Sequence, residues 1–435
     1  MRKLVISVII ILHTFICCLY PFGALADKEK TSDDTQAQTK STPVSEYTLL
    51  ADLSSDFFLY GTNSAKPIDP SGFTKILTAI TAIENTDDIY KKVTINGDIL
   101  KDYNNSNKNI GLQKDEKISI YDMIGAMLVY DAADCAIAIA HNVGKSYENF
   151  VSLMNETAKR AGAQSSVFIH PAGFKADGQT TNLKDLYYIT KYALKNKTFA
   201  EIVDMDYIEI EPTNKHGKRT LFNTNEFMNK YYSLDHYNPN IHGVKTYKND
   251  GENSGIIAKY TESGNNLLII CAKSPTKDGE NMAYKDVNYF IEYTKKHFTP
   301  VTVVENDRFM SEVKIPNGKN KDNLLLVNDG AIKVMLPNNY KQNLIKIDVV
   351  KKDNILAPIK KGDALGKAIV YYDNKKCGEV KLLAYSDVER SFLAHIDTKV
   401  SNFTKSVAFK IIISLFILVL ILIIANRNKQ SKRYD

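Results

Sequence analysis

A chain of 435 residues with 44% hydrophobic and 24% charged content is an ordinary globular composition with room for two or three domains. The net charge of +6 is spread along the chain, with no basic cluster interleaved with aromatics, which argues against a nucleic-acid partner. The N-terminus reads as a targeting segment. Arg2 and Lys3 precede the apolar run Leu4–Leu19, and Ala24-Leu25-Ala26 offers a small-x-small cleavage site, so residues 1–26 are expected to be a signal peptide. With Cys17 and Cys18 leaving in that segment, Cys135, Cys271 and Cys377 remain. They are odd in number and far apart, which excludes a disulfide framework and a cysteine metal site.

Residues 27–46 are polar and almost free of apolar side chains, as expected of a disordered linker. Short strands over Thr48–Leu53 and Phe57–Tyr60 follow, with Ser54, Ser55 and Asp56 between them. After Pro67 and Pro70 a core helix begins. Ile76, Leu77, Ile80, Ala82 and Ile83 fall at helical spacing, and Lys75 lies in its first turn. One helical region is expected over Ile120–Val143, another through Phe150 and Met154 to a stop at Gly162, and a third from an Asn182 cap to Leu194. The pattern then turns to strands at Gly243–Tyr247, Gly255–Tyr260 and Asn266–Ala272, closed by a helix over Tyr284–His297. Helices packed on an antiparallel sheet, an α+β domain, are expected for residues 47–298.

Pro300 reads as the boundary. From there, β-branched runs alternate with Asn-Gly and Lys-Lys-Gly turns, so residues 299–388 are expected to be a small all-β domain. A stem (389–406) leads to the apolar run Val407–Ala425, long enough to cross a bilayer, giving a transmembrane helix over 407–426. Lys410 can snorkel to the interface. Arg427, Lys429, Lys432 and Arg433 mark residues 427–435 as a cytoplasmic tail, with the bulk of the chain extracytoplasmic in a single-pass arrangement.

Several segments now carry a resemblance in the right order. Pro70–Thr78 (PSGFTKILT), Met127–Ala140 (MLVYDAADCAIAIA), Phe150–Phe174 with its HPAGF turn, Leu221–Glu226 (LFNTNE), Gly243–Tyr247 (GVKTY) and Ala357–Val370 (APIKKGDALGKAIV) form one set. Together they resemble the serine-type D-alanyl-D-alanine carboxypeptidases, the low-molecular-mass penicillin-binding proteins of the peptidase S11 family. The resemblance implies a penicillin-binding-protein/β-lactamase-like transpeptidase domain, peptidoglycan stem peptides as ligands, and no metal or organic cofactor.

Carried over position by position, the family's Ser-x-x-Lys becomes Gly72 and Lys75. The serine and asparagine of the second motif become Asp131 and Ala133. In the Lys-Thr-Gly strand, Lys245 and Thr246 are kept as substrate-binding positions, and Tyr247 replaces the glycine. Acyl-enzyme chemistry needs a hydroxyl beside a base, and Gly72 has no side chain. The resemblance places Asp131 between Lys75 and Lys245, so an ion-pair cluster is expected beneath a groove that Tyr247 partly blocks. Ser71, four residues before Lys75, is the alternative nucleophile; capping of the helix by its hydroxyl is the competing expectation. His170, His216 and His242 have no partner at metal-ligand spacing and read as structural or surface residues.

Three functional expectations follow. The first is a membrane-anchored pseudoenzyme that binds wall peptide or a cell-envelope protein. The second is a working D,D-carboxypeptidase using Ser71 and Lys75. The third is a purely structural protein that binds through its β-domain.

Overall fold

The computed structural model describes residues 42–97, 108–231, 234–249, 253–277, 280–319, 323–391 and 406–431. The expected signal peptide, the linker up to residue 41, the stem over 392–405 and the tail beyond 431 lie outside the described residues.

An antiparallel sheet organises the first part of the chain. Its strands are β1 (Tyr47–Asp52), β2 (Phe57–Thr62), β7 (Lys245–Lys248), β8 (Asn253–Glu262) and β9 (Asn265–Lys277), in the order β2-β1-β9-β8-β7. A two-residue strand, β10 (Glu280–Asn281), adds to β9. All six residues of β1 are buried, because both faces of the sheet are covered. Alternation sends Leu49, Ala51, Ile257 and Ile270 into one core and Leu50, Ile256, Ala258 and Ile269 into the other. Each such leucine or isoleucine contributes roughly 1.5–3 kcal/mol on leaving water.

The first core is closed by helices α1 (Thr74–Glu84), α2 (Ile120–Val129), α3 (Ala133–Gly144), α4 (Tyr147–Ala161), α5 (Leu183–Leu194) and α6 (Lys197–Val203). The second is closed by α7 (Ala283–His297), which lays Val287, Phe290 and Ile291 on the sheet. Asn182 caps α5 by accepting the Asp185 amide, and α4 stops at Gly162 with φ +103°. Two small hairpins flank the helices: β3 (Lys92–Thr94) with β4 (Lys117–Ser119), and β5 (Tyr207–Ile210) with β6 (Arg219–Phe222).

The structure corrects the expected single helix over Ile120–Val143, which is broken between α2 and α3. Asp131 sits there at φ +74°, a left-handed conformation that aspartate tolerates better than most residues. Near the expected boundary the last helix of the first part ends at His297 and a strand follows at once. Pro300 lies inside β11 (Phe298–Val304), opposite Met335 of β14 (Ile332–Pro337), in a two-stranded ladder where its missing amide is tolerated.

Apart from a 3-10 turn over Gln342–Leu344, the described residues from β11 to residue 391 form strands and turns. A five-stranded sheet runs β12-β13-β17-β16-β15, built from Phe309–Lys314, Asn323–Asn328, Lys375–Ala384, Ala364–Tyr372 and Ile345–Lys351. The Met335 amide donates to the buried Asp52 carboxylate (3.3 Å), tying this part to the first sheet. The final helix, α8 (Val407–Ser431), contains the stretch Val407–Ile424 with mean hydropathy 3.2, long and apolar enough to cross a membrane. Cys135, Cys271 and Cys377 are buried free thiols.

Candidate active site

A groove of about 1170 Å³ opens where α1, the α2–α3 break and β7 meet, and Lys75, Asp131, Ala133, Thr246 and Tyr247 line it. α1 presents Lys75 from its first turn because the rest of that turn is core: Phe73, Ile76 and Leu77 are each at most 1% exposed. The break between α2 and α3 brings Asp131 to the same point, and β7 brings Lys245 from the sheet edge.

The three charged groups form one cluster. Lys75 Nζ donates to Asp131 Oδ1 at 2.9 Å, and Lys245 Nζ stands 2.7 Å from the same oxygen. Among the described residues, Asp131 is the hydrogen-bond partner of the Lys75 ammonium. Burial pushes the Asp131 carboxyl up, but Lys245 and then Lys75 outweigh it and hold it below the usual carboxylate range. For Lys245, burial dominates and brings its ammonium down to about 8, while Asp131 opposes the shift. Lys245 also donates to the Thr246 carbonyl at 2.7 Å, and the Thr246 hydroxyl shares a 2.8 Å bond with that of Thr224. Ala133 opens α3 and donates its amide to the Lys108 carbonyl at 2.8 Å.

Gly72 faces Tyr247 directly. A Cβ built on Gly72 would lie 2.6 Å from the Tyr247 Cβ, closer than real Cβ atoms approach. Tyr247 is only 6% exposed. Its ring meets Phe73 edge to face, with centroids 4.7 Å apart, and its hydroxyl accepts the Lys273 amide at 3.1 Å. Opposite it on β8 is Gly255, where a Cβ would come within 2.3 Å of the ring. Tyr247 stands at the groove wall and is almost wholly buried there. The ring is buried against Phe73 and Gly255, and the Tyr247 Cβ fills the space beside Gly72 while the groove stays open.

Ser71 lies in a 3-10 turn, Ser71–Phe73, at φ +47°. It caps no helix: the turn has no side-chain cap, and α1 begins after Phe73. Its hydroxyl donates to Asp69 Oδ1 (3.0 Å) and accepts from Asn249 Nδ2 (3.1 Å). His170 accepts the Ala172 amide inside its own turn, and His242 pairs with Asp204 at 2.9 Å. His216 bonds the Gly111 carbonyl beside the buried Glu116. Among the described residues no group of three or more His, Cys, Asp or Glu side chains is placed to hold a metal.

A family model described as D-alanyl-D-alanine carboxypeptidase matches residues 33–274, more than half of the chain. The chain belongs to that family. A second model, penicillin-binding protein 5, C-terminal domain, matches residues 298–390. Among curated carboxypeptidases, DacF of Bacillus subtilis is 25% identical over 353 residues, covering 80% of this chain and 87% of DacF. DacC of Escherichia coli is 24% identical, covering 78% and 83%. Solved structures share the fold. Penicillin-binding protein 5 of Haemophilus influenzae aligns with TM-score 0.63 at 20% identity, over 81% of this chain and 99% of that one. The peptidoglycan synthesis regulatory factor PBP3 of Streptococcus pneumoniae aligns with TM-score 0.67 at 17% identity, over 80% and 100%.

Motif spacing alone did not single out Lys108, Asp69, Thr224, Asn249 or Tyr284 of the groove wall. Thr224 was within reach, since it sits in the quoted LFNTNE segment. The role of Gly255 needed the strand register.

Proposed function

We propose that this carboxypeptidase-family chain is an acylation-incompetent member, held at the outer face of the membrane by α8, that binds peptidoglycan stem peptides in its groove without cleaving them. The observation that carries the reading is the pair Gly72 and Tyr247: the nucleophile position has no side chain, and the space for one is filled. The cluster supports it. A general base must be able to take a proton from a neighbouring hydroxyl, whereas Lys75 is bonded to a carboxylate. In this reading Gly72, Lys75, Asp131, Ala133 and Tyr247 are vestigial catalytic positions and Thr246 borders the ligand, while Lys245, expected to do so too, is buried behind Asp131.

The test uses the full chain in detergent with a pentapeptide ending in D-Ala-D-Ala. The expected result is saturable binding without release of D-alanine. Repeated turnover would overturn the reading, and absence of both binding and release would move the function to the β-domain.

A further inference from the structure

The β5–β6 hairpin carries aromatic rings on the face it turns away from the core. Ile208 and Ile210 of β5 and Leu221 of β6 belong to the first core. The two-residue period therefore sends Tyr207 outward together with its cross-strand partner Phe222. Such a pair alone is enough to stabilise a hairpin. Here a third ring joins from outside it. The Tyr231 ring centre stands 6.1 Å from that of Tyr207 and 5.8 Å from that of Phe222, and the hairpin pair is 5.9 Å apart. An ion pair of Lys230 with Asp206 (2.6 Å) holds the segment bearing Tyr231 beside the start of β5. Tyr207 and Tyr231 nevertheless stay 39% and 52% exposed. Large rings gathered in water within a polar rim mark a binding surface.

Two observations choose the occupant. The first is continuity with the groove. Phe222 is two residues from Thr224, which lines the groove, so the cluster begins within about 7 Å of that wall. A stem peptide lying in the groove is joined at its far end to a strand of amino sugars. The second is the rim. Lys218 pairs with Glu209 at 2.9 Å and with Glu211 at 3.8 Å, so three carboxylates face two ammonium groups around the rings. Such a rim does not attract an anionic lipid surface. Three rings also fall well short of the ~800 Å² per partner of a standard protein interface. They suit a neutral sugar, whose C–H face packs on aromatic rings while its hydroxyls meet the charged side chains.

We propose that Tyr207, Phe222 and Tyr231 form a glycan platform on which an N-acetylated amino sugar of the strand bearing the stem peptide stacks. This rests on the reading that the groove receives stem peptide, and it extends the ligand from the peptide to the sugar that carries it.

Calorimetric titration of the full chain in a sugar-free detergent tests this with two ligands. One is a pentapeptide ending in D-Ala-D-Ala, and the other is the same peptide carried on a disaccharide of N-acetylated amino sugars. The sugar-bearing peptide is expected to bind about tenfold tighter. Tyr231→Ala should abolish that gain and leave the bare peptide unaffected. Tyr231→Phe should preserve it, because stacking needs the ring and not the hydroxyl. Equal affinity of the two ligands, equal losses for both in Tyr231→Ala, or loss of the gain in Tyr231→Phe would overturn the platform. If neither peptide binds, chitotetraose is titrated alone. Saturable binding that Tyr231→Ala removes keeps the platform while the peptide reading fails. No binding of chitotetraose, or binding that the substitution leaves intact, overturns the platform as well. A dimer in sedimentation that Tyr231→Ala dissociates would also overturn it, by giving the rings to a second copy of this chain.

Discussion

The Cβ of Tyr247 occupies the place into which a side chain on Gly72 would project, 2.6 Å from its first carbon. The obstructing atom adjoins the backbone of β7 and cannot swing aside as the tip of a long side chain does. Gly72→Ser is therefore expected to destabilise the protein by about 1–3 kcal/mol through overpacking and to yield no acyl-enzyme. Urea denaturation of the variant beside the parent chain checks the first expectation, and a D-alanine release assay checks the second.

The two positions should be energetically coupled. Tyr247→Gly removes the ring packed on Phe73, a loss on the order of 3–5 kcal/mol. The same change opens room for a serine at position 72. The double variant Gly72→Ser/Tyr247→Gly is thus expected to be more stable than the sum of the single effects by at least about 1 kcal/mol. Strict additivity in that cycle would show that the close approach is relieved in some other way.

Asp131→Asn leaves Lys75 and Lys245 buried without their counter-charge, and a loss of about 3–5 kcal/mol is expected at pH 7. The sign with pH follows from the carboxyl being held below its usual range in the folded state. Its contribution is fully present above the unfolded-state value near ~3.9 and is lost as pH falls through the folded-state value. The stability gap between parent and variant should therefore close in acid, as denaturation series from pH 7 downward would record.

Lys245 is expected to titrate at about 8 by NMR of the labelled ammonium. Burial lowers it and Asp131 raises it, so Asp131→Asn should lower it further. For a lysine depressed on folding, protonation opposes the folded state at pH values below about 8. That penalty fades as pH rises toward the unfolded-state value near ~10.4.

The parts of the fold legible in the sequence are those that local chemistry decides. The apolar face of α1, the Asn182 cap and the Gly162 stop need only neighbouring residues, and the order of the motif segments indicated the family fold. The break at Asp131 was not legible, because an alanine-rich apolar run continues through it in composition. Its left-handed backbone accompanies contacts to lysines on two other elements. That Pro300 lies within a strand could not be read from the sequence, because its ladder partner Met335 is remote in the chain. At the site, the family resemblance brought Lys75, Asp131 and Lys245 to attention together. The fit of Tyr247 between Gly72 and Gly255 depends on the β7–β8 register and on the approach of the Ser71–Phe73 turn. Lys108 belongs to no motif and is placed only by the loop whose carbonyl accepts the Ala133 amide.

No side chain of this site is expected to form an acyl-enzyme. Intact-mass analysis of the full chain after prolonged exposure to a penicillin, followed by peptide mapping, tests it most directly. An unchanged mass is expected. A stoichiometric penicilloyl adduct mapped to Ser71 would contradict it.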